Sequence, residues 1–173
     1  MDSSAVIEIP PWGTDSEWKE INMTFNHLIN RHRDALARTV EKALEMSHKL
    51  ESLYPIQNDI CRETCVQCSS PCCVTATVWL DFYDLLFMHL TGQLIPDHQL
   101  IERQIDSCRY HSPTGCVLPR LSRPWVCTLY LCPPQMALLR EKNETIRKHT
   151  DETIKAIKTD RKIIEDMFLS IIR

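Results

Sequence analysis

The chain has 173 residues, a formal net charge of −3 and a sequence pI of about 6.2. That length supports one domain with a core of its own, and that charge gives no electrostatic footing for nucleic acid. Three glycines (Gly13, Gly92 and Gly115) leave no glycine-rich phosphate loop, and no apolar run approaches the ~20 residues of a membrane span.

Residues 1–13 carry Pro10-Pro11 and no periodic pattern, and they read as a flexible tail. Met1 to Pro10 has neither a basic stretch nor an apolar core, so a secretory signal is not expected and the chain reads as cytoplasmic. Thr14 to Glu17 fits a capping box. A long N-terminal helix is expected within 14–55, from about Ser16 to Tyr54. Ile21, Phe25, Leu28, Leu36, Val40, Ala43, Leu50 and Leu53 recur mostly three or four apart, and no Gly or Pro intervenes before Pro55. Such a helix would measure roughly 58 Å, beyond the diameter of a compact domain, so it needs a partner along its length or a break.

Residues 56–132 change character, holding every cysteine and most of the aromatic residues. Val74 to Leu80 is β-branched and reads as a short strand or an extended segment. Asp81 to Leu90 is apolar around most of its circumference and ends at Gly92, which predicts a buried helix with a glycine C-terminal cap. Pro96 suits the first turn of a further helix to about Asp106. From Ser107 to Pro134, five prolines and Gly115 predict loops. Pro133-Pro134 opens a long C-terminal helix over 133–173, with a stripe of Ile146, Thr150, Thr153, Ile157, Ile164, Phe168 and Ile171 that Arg161 interrupts. Nine basic and seven acidic residues between Arg140 and Arg173 read as its solvated faces. The fold class expected is mainly α: a small cysteine-rich metal-binding module flanked by two long antiparallel helices. Dimerisation through the same stripes is the rival arrangement.

The chemistry lies in nine cysteines. Cys61, Cys65, Cys68, Cys72 and Cys73 form one run; Cys108, Cys116, Cys127 and Cys132 follow, and none lies outside 61–132. In a reducing compartment that density points to metal or redox chemistry rather than structural disulfides. Thiolates are soft ligands for zinc and iron–sulfur clusters, and a short spacing such as Cys65-x-x-Cys68 reaches one metal with little loop entropy. Adjacent thiols at Cys72-Cys73 point in different directions in most backbone conformations. Arg123 is placed to offset negative charge near Cys127 and Cys132. His111 reads as a nitrogen ligand or a surface histidine, and Glu63 as a base, a ligand or a solvated side chain. Trp79, Trp125 and Tyr130 read as packing that keeps water from the site. No HExxH or argued Ser-His-Asp set marks an independent enzyme, so a cofactor module is the simpler reading.

The run Cys65-Val-Gln-Cys68-Ser-Ser-Pro-Cys72-Cys73 resembles the CxxCxxCC signature of the YkgJ-like putative zinc- or iron-chelating family, with one extra residue between Cys68 and Cys72. Cys108-Arg-Tyr110, Gly115-Cys116, Arg123-Pro124 and Cys127 to Cys132 follow in the family's order. The resemblance implies ligands drawn from Cys65, Cys68, Cys72, Cys73, Cys108, Cys116, Cys127 and Cys132, with Cys61 extra. The first expectation is an iron–sulfur cluster of the 4Fe–4S type, for which the spacing of Cys61, Cys65 and Cys68 suits three ligands, with a redox, electron-transfer or methyl-transfer-related role. The alternative is a structural zinc module in a helical protein-interaction protein, and a thiol-exchange protein stands behind both. Cys61-x-x-x-Cys65-x-x-Cys68 also matches the spacing of radical S-adenosylmethionine enzymes. A chain committed to two long helices has no room for their β/α barrel. Partners expected are another protein, or a second copy through the long helices, with no nucleic acid and no membrane.

Overall fold

The computed structural model describes residues 10–66, 68–113 and 115–173, and of Cys73 only the backbone. The predicted tail up to Ile9 lies outside the described residues.

The capping box forms as its spacing dictates. Helix α1 (Asp15–Arg31) starts where Thr14 Oγ1 accepts from the Glu17 amide at 3.3 Å and Glu17 Oε2 accepts from the Thr14 amide at 3.1 Å. Thr14→Ala is expected to lower stability by about 1 kcal/mol in urea unfolding.

The single long rod expected over Ser16–Tyr54 is replaced by two helices. The chain turns at 32–36, and α2 (Ala37–Thr64) begins after Leu36, which is fully buried in the turn. The break resolves the length problem. It lets α1 pack on α4 (Phe82–Thr91) while α2 packs along both α4 and the last helix, α7 (Glu144–Ile172). At its far end α2 runs past Pro55 instead of stopping there. Pro55 faces solvent, where water can satisfy the carbonyl it leaves unpaired, while Leu53, Gln57 and Ile60 continue the buried face. Cys61 therefore sits on a helix and not in a loop.

The C-terminal rod is also interrupted. Pro133 and Pro134 open α6 (Pro133–Glu141), and α7 starts afresh behind Asn143, whose side chain accepts from the Ile146 amide at 3.0 Å. Three ion pairs fix the direction of α7 against α2. Glu63, near the end of α2, meets Lys142 just before α7, and Lys42 and Lys49, nearer its start, both meet Asp160. The helices run antiparallel, and the stripe is used within the chain: Ile157, Ile164 and Phe168 are buried in the shared core. Asp160 sits in the same interface. Burial pushes its carboxyl up, but hydrogen bonds from Lys49 at 2.6 Å and Lys42 at 3.0 Å outweigh this and hold it below its usual range.

Phe25 of α1, Phe82 of α4 and Phe168 of α7 meet with ring centroids 5.2–6.4 Å apart. His89 stacks on Phe25 at 5.1 Å, and burial drops its pKa to about 4. Helix α4 is buried as expected and ends at Gly92, whose φ of 65° is the left-handed conformation glycine tolerates.

No helix forms over 96–106. Gln99, Leu100 and Ile101 are buried in succession, and the Gln99 side chain bonds both the amide and the carbonyl of Leu80. The Pro96 carbonyl is taken by the Trp18 indole at 2.8 Å. These tertiary bonds hold the segment as irregular chain against 77–80, where no strand forms. The region 107–134 is mostly loop. It adds a two-residue hairpin, β1 (His111–Ser112) with β2 (Gly115–Cys116), a 3-10 turn at Arg120–Ser122, and the short α5 (Trp125–Leu129). No described helix is long and apolar enough to cross a membrane.

Candidate metal centre at the cysteine-rich end

The last turns of α2 and the start of α6 build one thiol face. Cys61 and Cys65 are four residues apart on a helix, which puts them on the same side, one turn from each other. Opposite them stands Gln135, only 6 % exposed, whose Nε2 donates to Cys61 Sγ and to Cys65 Sγ, both at 3.4 Å. Gln135 Oε1 accepts from the Cys132 amide at 3.0 Å. One buried amide thus joins the end of α2 to the first residue before α6. Arg120 closes the other side. Its guanidinium lies 5.2 Å over the Tyr54 ring, bonds Gln57 and Asn58, and borders Cys61. Half-buried Cys61 is pushed above the usual thiol range by burial, then by Cys65 beside it, while Arg120 pulls in the other direction. Tyr54 is raised to about 12, chiefly by burial, with Arg120 working against the shift.

Cys108 and Cys116 form a second grouping. The Cys108 carbonyl accepts from the His111 amide at 3.2 Å, and His111 pairs with Cys116 across the hairpin, whose Gly115 has a φ of 112°. Burial raises the Cys108 thiol, and the nearby Cys116 adds to it. Arg123, expected to offset thiolate charge, spends its donors on the carbonyls of Leu118 and Cys116. Arg120 is the arginine that borders a thiol.

Cys68 and Cys72 are exposed, Cys68 beyond the end of α2 and Cys72 at the start of the four-residue helix α3 (Cys72–Thr75). Cys127 is exposed on α5. The side chain of Cys73 lies outside the described residues. No disulfide joins the eight described thiols. Among the described residues, no three Cys, His, Asp or Glu side chains stand close enough to share one ion. The donor chemistry fits zinc or an iron–sulfur cluster, since soft thiolates are abundant and unbridged. Cys61 with Cys65 and Cys108 with Cys116 are the neighbouring thiols found, and the described sulfurs form no closed four-sulfur shell. Glu63 is exposed and faces Lys142 at 3.7 Å, and Tyr130 is exposed.

A second polar site was hidden in the sequence. Arg161, which breaks the stripe of α7, turns inward. Its Nη2 bonds both oxygens of Asp81 at 2.9 and 3.1 Å and lies 3.6 Å from Asp84. Its guanidinium lies 4.8 Å from the Trp125 ring and 5.6 Å from that of Tyr83. Asp84 caps α4 through the Asp81 amide and accepts from the Trp125 amide at 2.9 Å, so it ties α4 to the first residue of α5, the helix that carries Cys127. Burial, then the charge of Asp81, raises its pKa to about 7 against the pull of Arg161. Trp79 and Trp125 border a groove of about 250 Å³ beside these carboxylates. A lone arginine inside an apolar stripe was the signal for this site. Arg161→Met is expected to cost about 2 kcal/mol, read from the urea midpoint, because it leaves a buried carboxylate without its cation.

Fold and site together define a mainly helical protein with a thiol-rich end. Comparison with protein-family models, curated proteins and solved structures finds no match.

Proposed function

We propose that residues 61–132 hold an inorganic centre through cysteine thiolates, with an iron–sulfur cluster as the leading reading. The observation that carries this is the segment from Cys65 to Trp79, in which no described residue is buried. Ordering backbone costs on the order of 1–2 kcal/mol per residue, and a stretch without apolar burial has little to offset it. The same stretch carries Cys65, Cys68, Cys72 and Cys73, and ligation by thiolates converts binding free energy into folding free energy. A bound cluster would supply one-electron redox chemistry. The chain's part is to present the sulfurs, to place Arg120 beside one of them, and to fix the surrounding loops on α2 and α6.

The zinc alternative draws on a different observation. Val66, Val117, Val126, Tyr130 and Met136 are exposed in the segments that carry the thiols. Exposed apolar side chains fit a binding surface whose metal is purely structural. Anaerobic purification followed by metal and sulfide analysis separates the two readings. Iron with sulfide and visible charge-transfer absorption supports the cluster; colourless protein with stoichiometric zinc supports the alternative; protein with neither metal overturns both.

A further inference from the structure

We infer that Cys61 and Cys65 form a two-thiolate half of the centre and that Gln135 is the positioning residue that holds both sulfurs and ties them to the Cys132 segment. The inference rests on the thiolate-centre reading above and departs from the CxxCxxCC pattern, which leaves Cys61 extra.

Three observations converge. First, a primary amide has two N–H donors, and Gln135, which is buried, aims its Nε2 at Cys61 and Cys65. Neutral thiols are weak acceptors, so against them the buried donors are poorly satisfied; thiolates accept strongly. The arrangement is matched to the anionic, ligating form of both cysteines. Second, the other end of the same amide is fixed, because Oε1 accepts from the Cys132 amide. The side chain cannot swing away from the sulfurs without breaking the cap on α6. Third, Arg120 borders Cys61 and is itself immobilised by the Tyr54 ring, Gln57 and Asn58, so a fixed positive charge stands beside the anionic pair. Two thiols one helical turn apart can ligate one ion, and the helix presents them with less loop entropy than a flexible segment would.

Glutamate separates the two roles of Gln135. Glu is a regular occupant of this capping-box position, so Gln135→Glu keeps an oxygen for the Cys132 amide. It replaces the two donors with a charge that repels thiolates. The full-length chain, reduced and anaerobic, is titrated with Co²⁺, whose thiolate charge-transfer intensity reports the number of bound sulfurs, and competed with Zn²⁺ for affinity. Cys61→Ser is expected to lower that intensity by one thiolate's share and to weaken binding by ~10–100-fold. Gln135→Glu is expected to weaken it by ~10–100-fold with unchanged helix content. Gln135→Asn, too short to reach both sulfurs, shifts affinity in the same direction and serves if glutamate disturbs the fold. Wild-type uptake with an unchanged Cys61→Ser variant overturns the ligand assignment alone. Unchanged affinity in both Gln135 variants overturns the positioning role. A wild-type chain that takes up neither cobalt nor zinc overturns this inference, while the reading beneath it falls separately, on anaerobically purified protein that holds neither iron with sulfide nor zinc.

Discussion

On the thiolate-centre reading, Cys65→Ser and Cys68→Ser are each expected to lose bound metal, with fast amide exchange across 66–79 and little change in helix content. The two halves of this result have separate causes. Helices α1, α2, α4 and α7 are held by a core that includes Phe25, Leu53, Leu85, Ile157 and Phe168, to which no described hydrophobic residue of 65–77 contributes. Their stability comes from apolar area, and removing one sulfur leaves that area in place. The segment beyond Cys65 has no such anchor: its described residues are exposed or half-exposed as far as Trp79. Its internal bonds are a few local ones, such as the Cys68 amide to the Cys65 carbonyl and the Ala76 amide to the Cys72 carbonyl. Structural zinc contributes apparent free energies of about 10–16 kcal/mol in small modules, so on the proposed reading losing one thiolate would remove the main source of order there. Elemental analysis reads the metal, and hydrogen exchange followed by mass spectrometry reads the segment. Unchanged metal content in both variants would remove Cys65 and Cys68 from the site. Global unfolding of the helices would show instead that the core depends on the thiols.

The mainly helical class was legible because 3.6-residue periodicity is a local signal. Ile21, Phe25 and Val40, and later Ile157, Ile164 and Phe168, mark faces that pack as expected. The breaks were not legible. Nothing at His32 to Leu36 disrupts helix propensity, and the turn exists because α1 and α2 must reach different partners. Pro55 misled in the opposite direction: a local breaker was overridden by the buried face of Leu53, Gln57 and Ile60. The absent helix at 96–106 has the same lesson, since Gln99 binding the Leu80 backbone is a long-range event with no trace in spacing. At the site, concentration of thiols was plain, but which ones face each other was not. Cys61 is extra only by the CxxCxxCC pattern, which starts at Cys65. Once α2 is extended to Thr64, the four-residue spacing to Cys65 becomes a helical neighbourhood, and Gln135 and Arg120 are brought in from distant segments.

Stability is expected to be nearly flat between about pH 4 and pH 6.5, because two buried groups act in opposite directions. Asp84 has its folded pKa raised from 3.8 to about 7, by burial and then by the charge of Asp81. A carboxyl raised in this way favours the folded state at low pH. Its contribution is complete below the unfolded value and is lost as pH rises toward 7, a change of about 4 kcal/mol at 1.36 kcal/mol per pKa unit. His89 has its pKa lowered by burial from 6.5 to about 4, against the ring of Phe25 and the amides of Asn22 and Asn26. Its neutral form favours the folded state above pH 6.5, and this contribution is lost as pH falls toward 4, by about 3 kcal/mol. In the shared window the unfolded chain releases a proton from Asp84 and takes one up at His89, so the proton difference nearly vanishes. Single substitutions should expose each slope. Asp84→Asn, which keeps an oxygen for the Trp125 amide, should make stability rise with pH by about 1.4 kcal/mol per unit relative to the wild type. His89→Gln should make it fall by a similar amount. Urea unfolding at pH 4.5, 5.5 and 6.5, compared as differences from the wild type so that thiol titration cancels, measures both. Profiles for the two variants that run parallel to the wild type would mean that neither group carries its proton into the fold as its surroundings dictate.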